Sequence, residues 1–132
     1  MSESFILFDR EIFVFGSNRE GRHGKGAALT ARQKYGAIYG QSSGLQGDSY
    51  AIITKELRRD FASVSLQEIR IGVQGLFEFA RQHPQWRFNV SPIGCGLAGF
   101  KVSEIAPLFD GSPVNVVFTE EFMERISKEK SA

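Results

Sequence analysis

Glycine-rich turns and one lysine are the parts of this sequence whose residue types and spacing suit a chemical role. Residues 93–100, called the second glycine loop, hold Gly94, Gly96 and Gly99 between a strand-like and a helix-like segment. Because glycine has no side chain, the backbone of such a loop can approach a ligand closely. Backbone N–H groups in turns of this kind commonly bind phosphate. The loop therefore predicts a phosphorylated ligand.

Two other strand ends carry similar residues. A predicted strand at 11–15 leads to the first glycine loop, residues 19–26, and a second strand at 50–54 ends beside a lysine. Ligands of parallel α/β sheets bind beyond the carboxyl ends of the strands, where these residues would meet. This edge would contribute backbone and side-chain amides, a lysine and a helix N-terminus through Gly16, Ser17, Asn18, Gly24, Lys25, Gly26, Thr54 and Lys55.

The elements that position these residues alternate between strands and helices. Uninterrupted apolar runs bounded by turn residues predict buried strands at 11–15, 50–54, 87–91 and 114–118. Helices are predicted at 27–35, 65–82 and 102–109; the second has one apolar stripe, a capping Ser65 and Glu68 placed to complete a capping box. This order predicts an α/β fold with a parallel sheet and right-handed crossovers.

Three segments are less regular. Residues 37–49 contain three glycines and are predicted to be irregular, and the apolar residues 5–8 fit either an edge strand or a packed arm. Residues 120–132 alternate in charge and predict a solvated helix that frays. A single domain over residues 1–132 is expected, with its core at about 11–118.

Composition narrows the classes of partner and location. The formal net charge is +1, from 16 basic and 15 acidic residues, which gives no support for nucleic-acid binding through overall charge. The single Cys95 cannot form an internal disulfide. No basic signal-peptide region and no apolar run of membrane-spanning length occur, so a cytoplasmic protein without membrane contact is expected. The oligomeric state stays open.

Common nucleotide-binding motifs are absent or misplaced. No lysine–serine pair follows a glycine loop, so a P-loop nucleotidase is not predicted. Residues 94–99 match G-x-G-x-x-G, but they follow the third strand rather than the first, and no acidic residue closes the next strand. His23 lacks companion ligands in its loop, where it is expected to be exposed, so neither a metal nor another cofactor is predicted.

Three motifs in this order resemble the macrodomain family. They are Gly-Lys-Gly-Ala-Ala at 24–28, Ile-Ile-Thr-Lys at 52–55 and Pro-Ile-Gly-Cys-Gly-Leu at 92–97. More narrowly, the chain is similar to the branch that contains the terminal ADP-ribose glycohydrolase and the DNA-directed ADP-ribosyl glycohydrolase antitoxin. The resemblance covers residues 12–118 and implies a compact three-layer α/β sandwich with a central, mostly parallel sheet. The short stretch before it leaves open whether an edge strand is missing.

The resemblance also implies a ligand and a site. It implies binding of ADP-ribose, or a closely related nucleotide, at the carboxyl ends of the strands, with ADP-ribosylated proteins or nucleic acids as partners. Asn18 would approach the distal ribose, both glycine loops would enclose the diphosphate, and Lys55 matches the lysine that attacks the anomeric carbon. The implied ligand-binding set is Gly16, Ser17, Asn18, Gly24, Lys25, Gly26, Ala27, Thr54, Ile93, Gly94, Cys95, Gly96, Leu97, Ala98, Gly99 and Phe100.

One departure from the pattern of this branch weakens the case for catalysis more than the case for binding. The branch's glycohydrolases place an acidic residue in or just after the second loop, but residues 97–101 contain no carboxylate. Proton transfer would then fall to Asp48, Glu56, His23 or water. Ligand binding is therefore the favoured function. A glycohydrolase with Lys55 as nucleophile and a pocket that sequesters another signalling nucleotide are the alternatives.

Several candidate residues also have a purely structural interpretation. Lys55 could be an ordinary solvated lysine, and Asn18 could stabilise a turn through its side-chain amide. Cys95 fits a small packed residue better than a nucleophile, because no histidine is near it in sequence. Phe100 could anchor the following helix rather than stack on a ribose.

Overall fold

The elements follow the predicted alternation along the chain. The computed structural model describes residues 7–57, 62–96 and 98–131. In chain order they form β1 (Arg10–Asn18), α1 (Gly26–Lys34), β2 (Gly44–Gln46), β3 (Ser49–Glu56), β4 (Ala62–Ser63), α2 (Leu66–Gln82), β5 (Trp86–Val90), α3 (Val102–Ile105) with a 3₁₀ turn at Ala106–Phe109, β6 (Val116–Phe118) and α4 (Glu120–Ser131).

The sheet is built around β1. Its order is β2-β3-β1-β5-β6, and β4 also pairs with β3. The β1–β3, β1–β5 and β5–β6 pairs are parallel, whereas β2 and β4 run antiparallel to β3. The predicted α/β class with a mostly parallel sheet is confirmed.

Alternate residues of β1 face two different layers. Ile12 and Val14 are completely buried in a large core that includes residues of α2, α3 and α4. Phe15 is equally buried but packs on the other side, with Ala28 and Ala31 of α1. Because both faces of the strand are covered, its apolar run does not alternate. The result is the predicted three-layer sandwich.

Helix α2 begins and ends at side-chain caps. The Ser65 hydroxyl accepts a hydrogen bond from the backbone N–H of Glu68 at 3.1 Å. The carboxylate of Glu68 instead pairs with Arg19 at 2.7 Å, so only half of the predicted capping box forms. At the other end the buried Asn115 donates to the carbonyl oxygens of Ala80, His83 and Trp86.

Two segments differ from the sequence prediction. The stretch 37–49, predicted to be irregular, contains β2, which forms a hairpin with β3. Leu7 and Phe8 precede β1 and are not part of a strand, while Phe5 and Ile6 lie outside the described residues. The last strand begins at Val116, two residues later than predicted, because a turn joins the Val116 N–H to the Pro113 carbonyl.

The prediction of a solvated helix over residues 120–132 is wrong in one respect. Helix α4 does alternate charges, but Phe122 is completely buried. Its ring lies 4.2 Å from that of Phe118 and 6.4 Å from that of Phe109, centroid to centroid. Ile126, one turn further, also packs against the core, but three large apolar residues among many charges give too weak a periodic signal to predict such packing. In the described ranges no helix is both long and apolar enough to cross a membrane.

Candidate ligand-binding site

The three predicted strand ends meet beside Gly16. A Cβ atom added to Gly16 would lie 3.0 Å from Thr54 Oγ1 and 3.3 Å from the backbone nitrogen of Gly94. The Thr54 hydroxyl also donates to the carbonyl of Ser17 at 3.2 Å. The carboxyl ends of β1 and β3 and the loop after β5 are therefore within contact distance. Gly16 keeps this point open because it has no side chain.

The first glycine loop is stabilised by Asn18. The Asn18 Oδ1 accepts from the Arg22 N–H at 2.7 Å, and its Nδ2 donates to the Arg22 carbonyl at 2.6 Å. These bonds match the turn-stabilising interpretation of Asn18. Each amide atom retains one further hydrogen-bonding position, which a ligand hydroxyl can use.

Helix α1 opens with an uncapped N-terminus. Lys25 is the N-cap residue, forms no side-chain cap and is followed by no acidic residue in the first turn. Gly24, Lys25, Gly26 and Ala27 are all exposed. The first N–H groups of a helix have no intrahelical partner and carry the positive end of its dipole. This end of α1 can therefore accept an anionic group.

His23 is buried, contrary to the prediction that it is exposed. Its Nε2 lies 3.1 Å from both the Gln41 carbonyl and Gln46 Oε1. Gln46 Oε1 also accepts from the Ile38 N–H, so both neighbours of Nε2 are acceptors and Nε2 carries the hydrogen. The buried Nδ1 has no hydrogen-bond partner in the described part of the chain. His23 fixes the first glycine loop to β2 and its preceding turn rather than offering an exposed ring.

The stretch before β2 packs closely against the end of β1 and the first glycine loop. The hydroxyl of Ser17 donates to the carbonyl of Ser42, and the Gly40 N–H donates to the Gly21 carbonyl at 2.8 Å. Gly21 has a φ of +72°, and a Cβ added there would lie 2.5 Å from the Gly40 carbonyl carbon. Only glycine fits this approach.

The second glycine loop satisfies part of its own backbone. The N–H of Phe100 donates to the Gly94 carbonyl at 2.8 Å, and the N–H of Gly99 donates to the Gly96 carbonyl at 3.0 Å. Within the described residues, the N–H groups of Gly94 and Gly96 have no hydrogen-bond partner. Of the two residues, Gly96 is exposed, whereas Gly94 is buried. Leu97, another predicted site residue, lies outside the described residues.

The side chains of this loop serve mainly to pack it. A Cβ at Gly94 would come within 3.2 Å of both Phe100 Cδ2 and Ile105 Cδ1, so Phe100 lies against the loop backbone. The Cys95 Sγ donates to the Ile93 carbonyl at 3.4 Å. Burial raises the pKa of the Cys95 thiol to about 11, which argues against a nucleophilic role. Ile93 is buried, Ala98 is half-buried and Gly99 is exposed.

Lys55 lies inside β3 rather than after it. It pairs with Asn18 of β1, and only 9% of its surface is exposed. Its carbonyl accepts from the Arg19 N–H at 2.9 Å. The interpretation of Lys55 as an ordinary solvated lysine is wrong, because the side chain is buried at the edge where the strand ends meet.

Of the two carboxylates considered from the sequence, only Glu56 lies at the end of β3 that contains Lys55. Asp48 precedes the start of β3, at the opposite end, and pairs there with Arg10 at 2.9 Å. Glu56 lies 3.8 Å from Arg19, and Glu20, which the sequence analysis did not consider, accepts from the Leu57 N–H at 2.9 Å. No local pattern marks Glu20, because its position depends on the pairing of β1 with β3. Across the described ranges, no cluster of three or more His, Cys, Asp or Glu residues suits a metal ion.

Several solved structures share this architecture. The macrodomain of Mycobacterium tuberculosis DarG is 23% identical with a TM-score of 0.61, and the match covers 89% of this chain and 93% of that one. A macrodomain protein from Streptomyces coelicolor is 14% identical with a TM-score of 0.56, covering 90% and 93%. Thermosipho africanus DarTG in complex with ADP-ribose is 19% identical with a TM-score of 0.57, covering 90% of this chain and 41% of that one.

The agreement with these structures is one of fold. No protein-family model and no curated protein matches the sequence. The solved structures nevertheless match nearly the full length of the chain, and two of them are macrodomains by name. The resemblance stated from the three sequence motifs is confirmed at this level: the chain has the macrodomain fold.

Proposed function

We propose that this protein binds ADP-ribose, or a closely related ADP-ribose-containing nucleotide, in the cleft at the carboxyl ends of β1, β3 and β5. The observation that carries the proposal is that the second glycine loop and the carboxyl ends of β1 and β3 come together beside Gly16. The second loop would contribute the N–H groups of Gly94 and Gly96, and the first glycine loop, which follows β1, leads to the uncapped start of α1. The Thermosipho africanus neighbour, which holds ADP-ribose, supports the choice of ligand.

Backbone groups would supply most of the phosphate recognition. Amide N–H groups and a helix N-terminus bind a diphosphate without requiring many basic side chains, which agrees with the formal net charge of only +1. Asn18 would use its remaining amide positions on the distal ribose. An ADP-ribose group attached to a protein or nucleic acid would present the same diphosphate to the cleft.

Calorimetric titration tests this proposal. We expect ADP-ribose to bind with a dissociation constant on the order of micromolar or tighter, and AMP and NAD to bind more weakly. Absence of detectable ADP-ribose binding would overturn the proposal. A cyclic or other signalling nucleotide that binds more tightly than ADP-ribose would instead favour the sequestration of that nucleotide.

A second candidate function is removal of ADP-ribose from a macromolecule through attack by Lys55. The burial of Lys55 beside the meeting strand ends favours it. A lysine amine can act as the nucleophile that attacks the anomeric carbon. Glu20 and Glu56 are the carboxylates at this end of β3, and both already have partners.

Lys55→Ala separates the two functions. If the protein is a hydrolase, the substitution should abolish release of ADP-ribose from an ADP-ribosylated substrate while changing ADP-ribose affinity little. Lys34→Ala, in the exposed last turn of α1, is the matched control and should change neither quantity. If the unmodified protein releases no ADP-ribose from modified DNA or protein, the hydrolase candidate fails and the binding function stands by itself.

A further inference from the structure

Helix α4 is fixed to the strand from which the second glycine loop departs. The N–H of Thr119, just before α4, donates to the Val90 carbonyl at 2.9 Å, and Val90 is the last residue of β5. The Thr119 hydroxyl accepts from the Phe122 N–H at 3.2 Å, and the Phe122 ring is completely buried. The start of α4 therefore has a defined position relative to the loop.

Side chains on one face of α4 contact the backbone both inside the second glycine loop and just after it. Arg125 Nη1 donates to the Cys95 carbonyl, inside the loop, at 3.4 Å, and Arg125 also pairs with Glu121 at 3.2 Å. One turn further, the Glu129 carboxylate accepts from the N–H groups of Val102 at 2.7 Å and Ser103 at 3.1 Å. Residues four apart share a helix face, so these contacts act together.

The Glu129 carboxylate replaces a local cap for α3. Lys101, the N-cap residue of α3, has a side chain that cannot accept a hydrogen bond. Its own N–H donates to Glu104 at 2.9 Å, and the next two N–H groups donate to Glu129. Partial desolvation raises the pKa of the Glu129 carboxyl. The hydrogen bonds from Ser103 and Val102 and the nearby charge of Lys101 outweigh this effect, so the pKa is lowered. The side chain is therefore ionised at neutral pH.

A loop that contains three glycines needs such an external restraint. Each glycine has more backbone conformations in the free state, so ordering the loop on ligand binding costs affinity. A helix that fixes the loop before the ligand arrives reduces this cost. A groove of about 320 Å³ between the loop and α4 is lined by Lys101, Arg125 and Lys128, together with Phe100 and Val102.

We infer that α4 holds the second glycine loop in its ligand-binding conformation, with Glu129 and Arg125 as positioning residues that do not touch the ligand. This inference rests on the proposed binding function of the cleft. It assigns to the charged C-terminal segment a direct influence on affinity. It also predicts that loss of these contacts mainly increases the rate at which the ligand dissociates.

The test compares Glu129→Gln and Glu129→Ala with the control Glu124→Gln, an exposed glutamate on the same helix. In the ligand-free protein, amide hydrogen exchange across residues 93–105 should accelerate by about tenfold in Glu129→Ala and by less in Glu129→Gln, which keeps one carbonyl acceptor. Glu124→Gln should exchange like the unmodified protein. Thermal midpoints should differ little, because Glu129 is exposed.

Binding kinetics complete the test. We expect ADP-ribose to dissociate about threefold to tenfold faster from Glu129→Ala, with a similar association rate and Glu129→Gln in between. Unchanged exchange in the ligand-free variants would overturn the inference whatever the ligand. Faster exchange with unchanged dissociation would also overturn it. If the unmodified protein does not bind ADP-ribose at all, the proposed function fails, and exchange alone then decides whether α4 holds the loop.

Discussion

At Gly16 the backbone of β1 passes close to both Thr54 and the second glycine loop. A Gly16→Ala substitution would place a methyl group 3.0 Å from Thr54 Oγ1 and 3.3 Å from the Gly94 nitrogen. One of these groups must move, and the N–H of Gly94 would be partly covered. We expect ADP-ribose affinity to fall by about tenfold or more, because a ligand hydrogen bond is lost in a confined site.

Calorimetric titration of Gly16→Ala measures this effect, and urea unfolding of the same variant shows whether the domain remains folded. Unchanged affinity in a stable Gly16→Ala protein would contradict the placement of the ligand above this residue.

Cys95 gives a pH-dependent prediction at the same scale. Burial raises its thiol pKa to about 11, so at pH 8 only about one molecule in a thousand carries the reactive thiolate. The rate of alkylation by iodoacetamide should therefore rise about tenfold per pH unit between pH 8 and pH 10 and stay far below that of a free cysteine. Alkylation of the urea-unfolded protein at pH 8 is the control. A fast reaction of the folded protein at pH 7 would contradict the described burial.

Helix α2 contains two glycines whose substitution by alanine should have opposite effects on stability. A Cβ at Gly75 would meet only Tyr50 Oη, at 4.0 Å, whereas a Cβ at Gly72 would lie 2.9 Å from Ile52 Cγ2. Alanine is favoured over glycine inside a helix by about 0.5–1 kcal/mol. Gly75→Ala should therefore increase the free energy of unfolding by about that amount. Gly72→Ala should decrease it by about 1–3 kcal/mol, because Ile52 must move in a packed core.

Chemical unfolding of the two variants, compared with the unmodified protein, checks this pair. Equal effects of the same substitution at both positions would contradict the described packing of α2 on β3. Gly75→Ala also serves as a control for Gly16→Ala, since it adds the same methyl group away from the cleft.

The same helix shows which elements the sequence can predict. Its apolar stripe, the Ser65 cap and Pro84 just beyond its end all lie within about 20 residues of one another, so local patterns predicted it correctly. Strand β2 was missed because its three residues become a strand only by pairing with β3. The glycine loops could be predicted because their glycines, like the signals of α2, lie close together in the sequence. The burial of His23 and the positions of Glu20 and Glu129 depend on contacts between distant segments, which no local pattern contains.

At the scale of the whole molecule, α4 is part of the folded domain. Truncating a completely buried phenylalanine usually costs about 3–5 kcal/mol of stability. We expect Phe122→Ala to lower the free energy of unfolding by about this amount, because its ring contacts both Phe118 and Phe109. The neighbouring Met123 is 54% exposed, so Met123→Ala should change stability by less than about 0.5 kcal/mol. Urea unfolding measures both; similar small effects would mean that α4 is a solvated tail after all.

The central position of β1 has a consequence for the synthesis of the chain. β1 is the first strand described, yet it pairs with β3 at one side and with β5, which ends at Val90, at the other. At usual translation speeds, β1 leaves the ribosome on the order of ten seconds before its last partner is made. During that interval its run of Ile12, Phe13, Val14 and Phe15 lacks a complete sheet. This strand is therefore open to aggregation in newly made chains, and its apolar run suits a chaperone that binds short apolar segments.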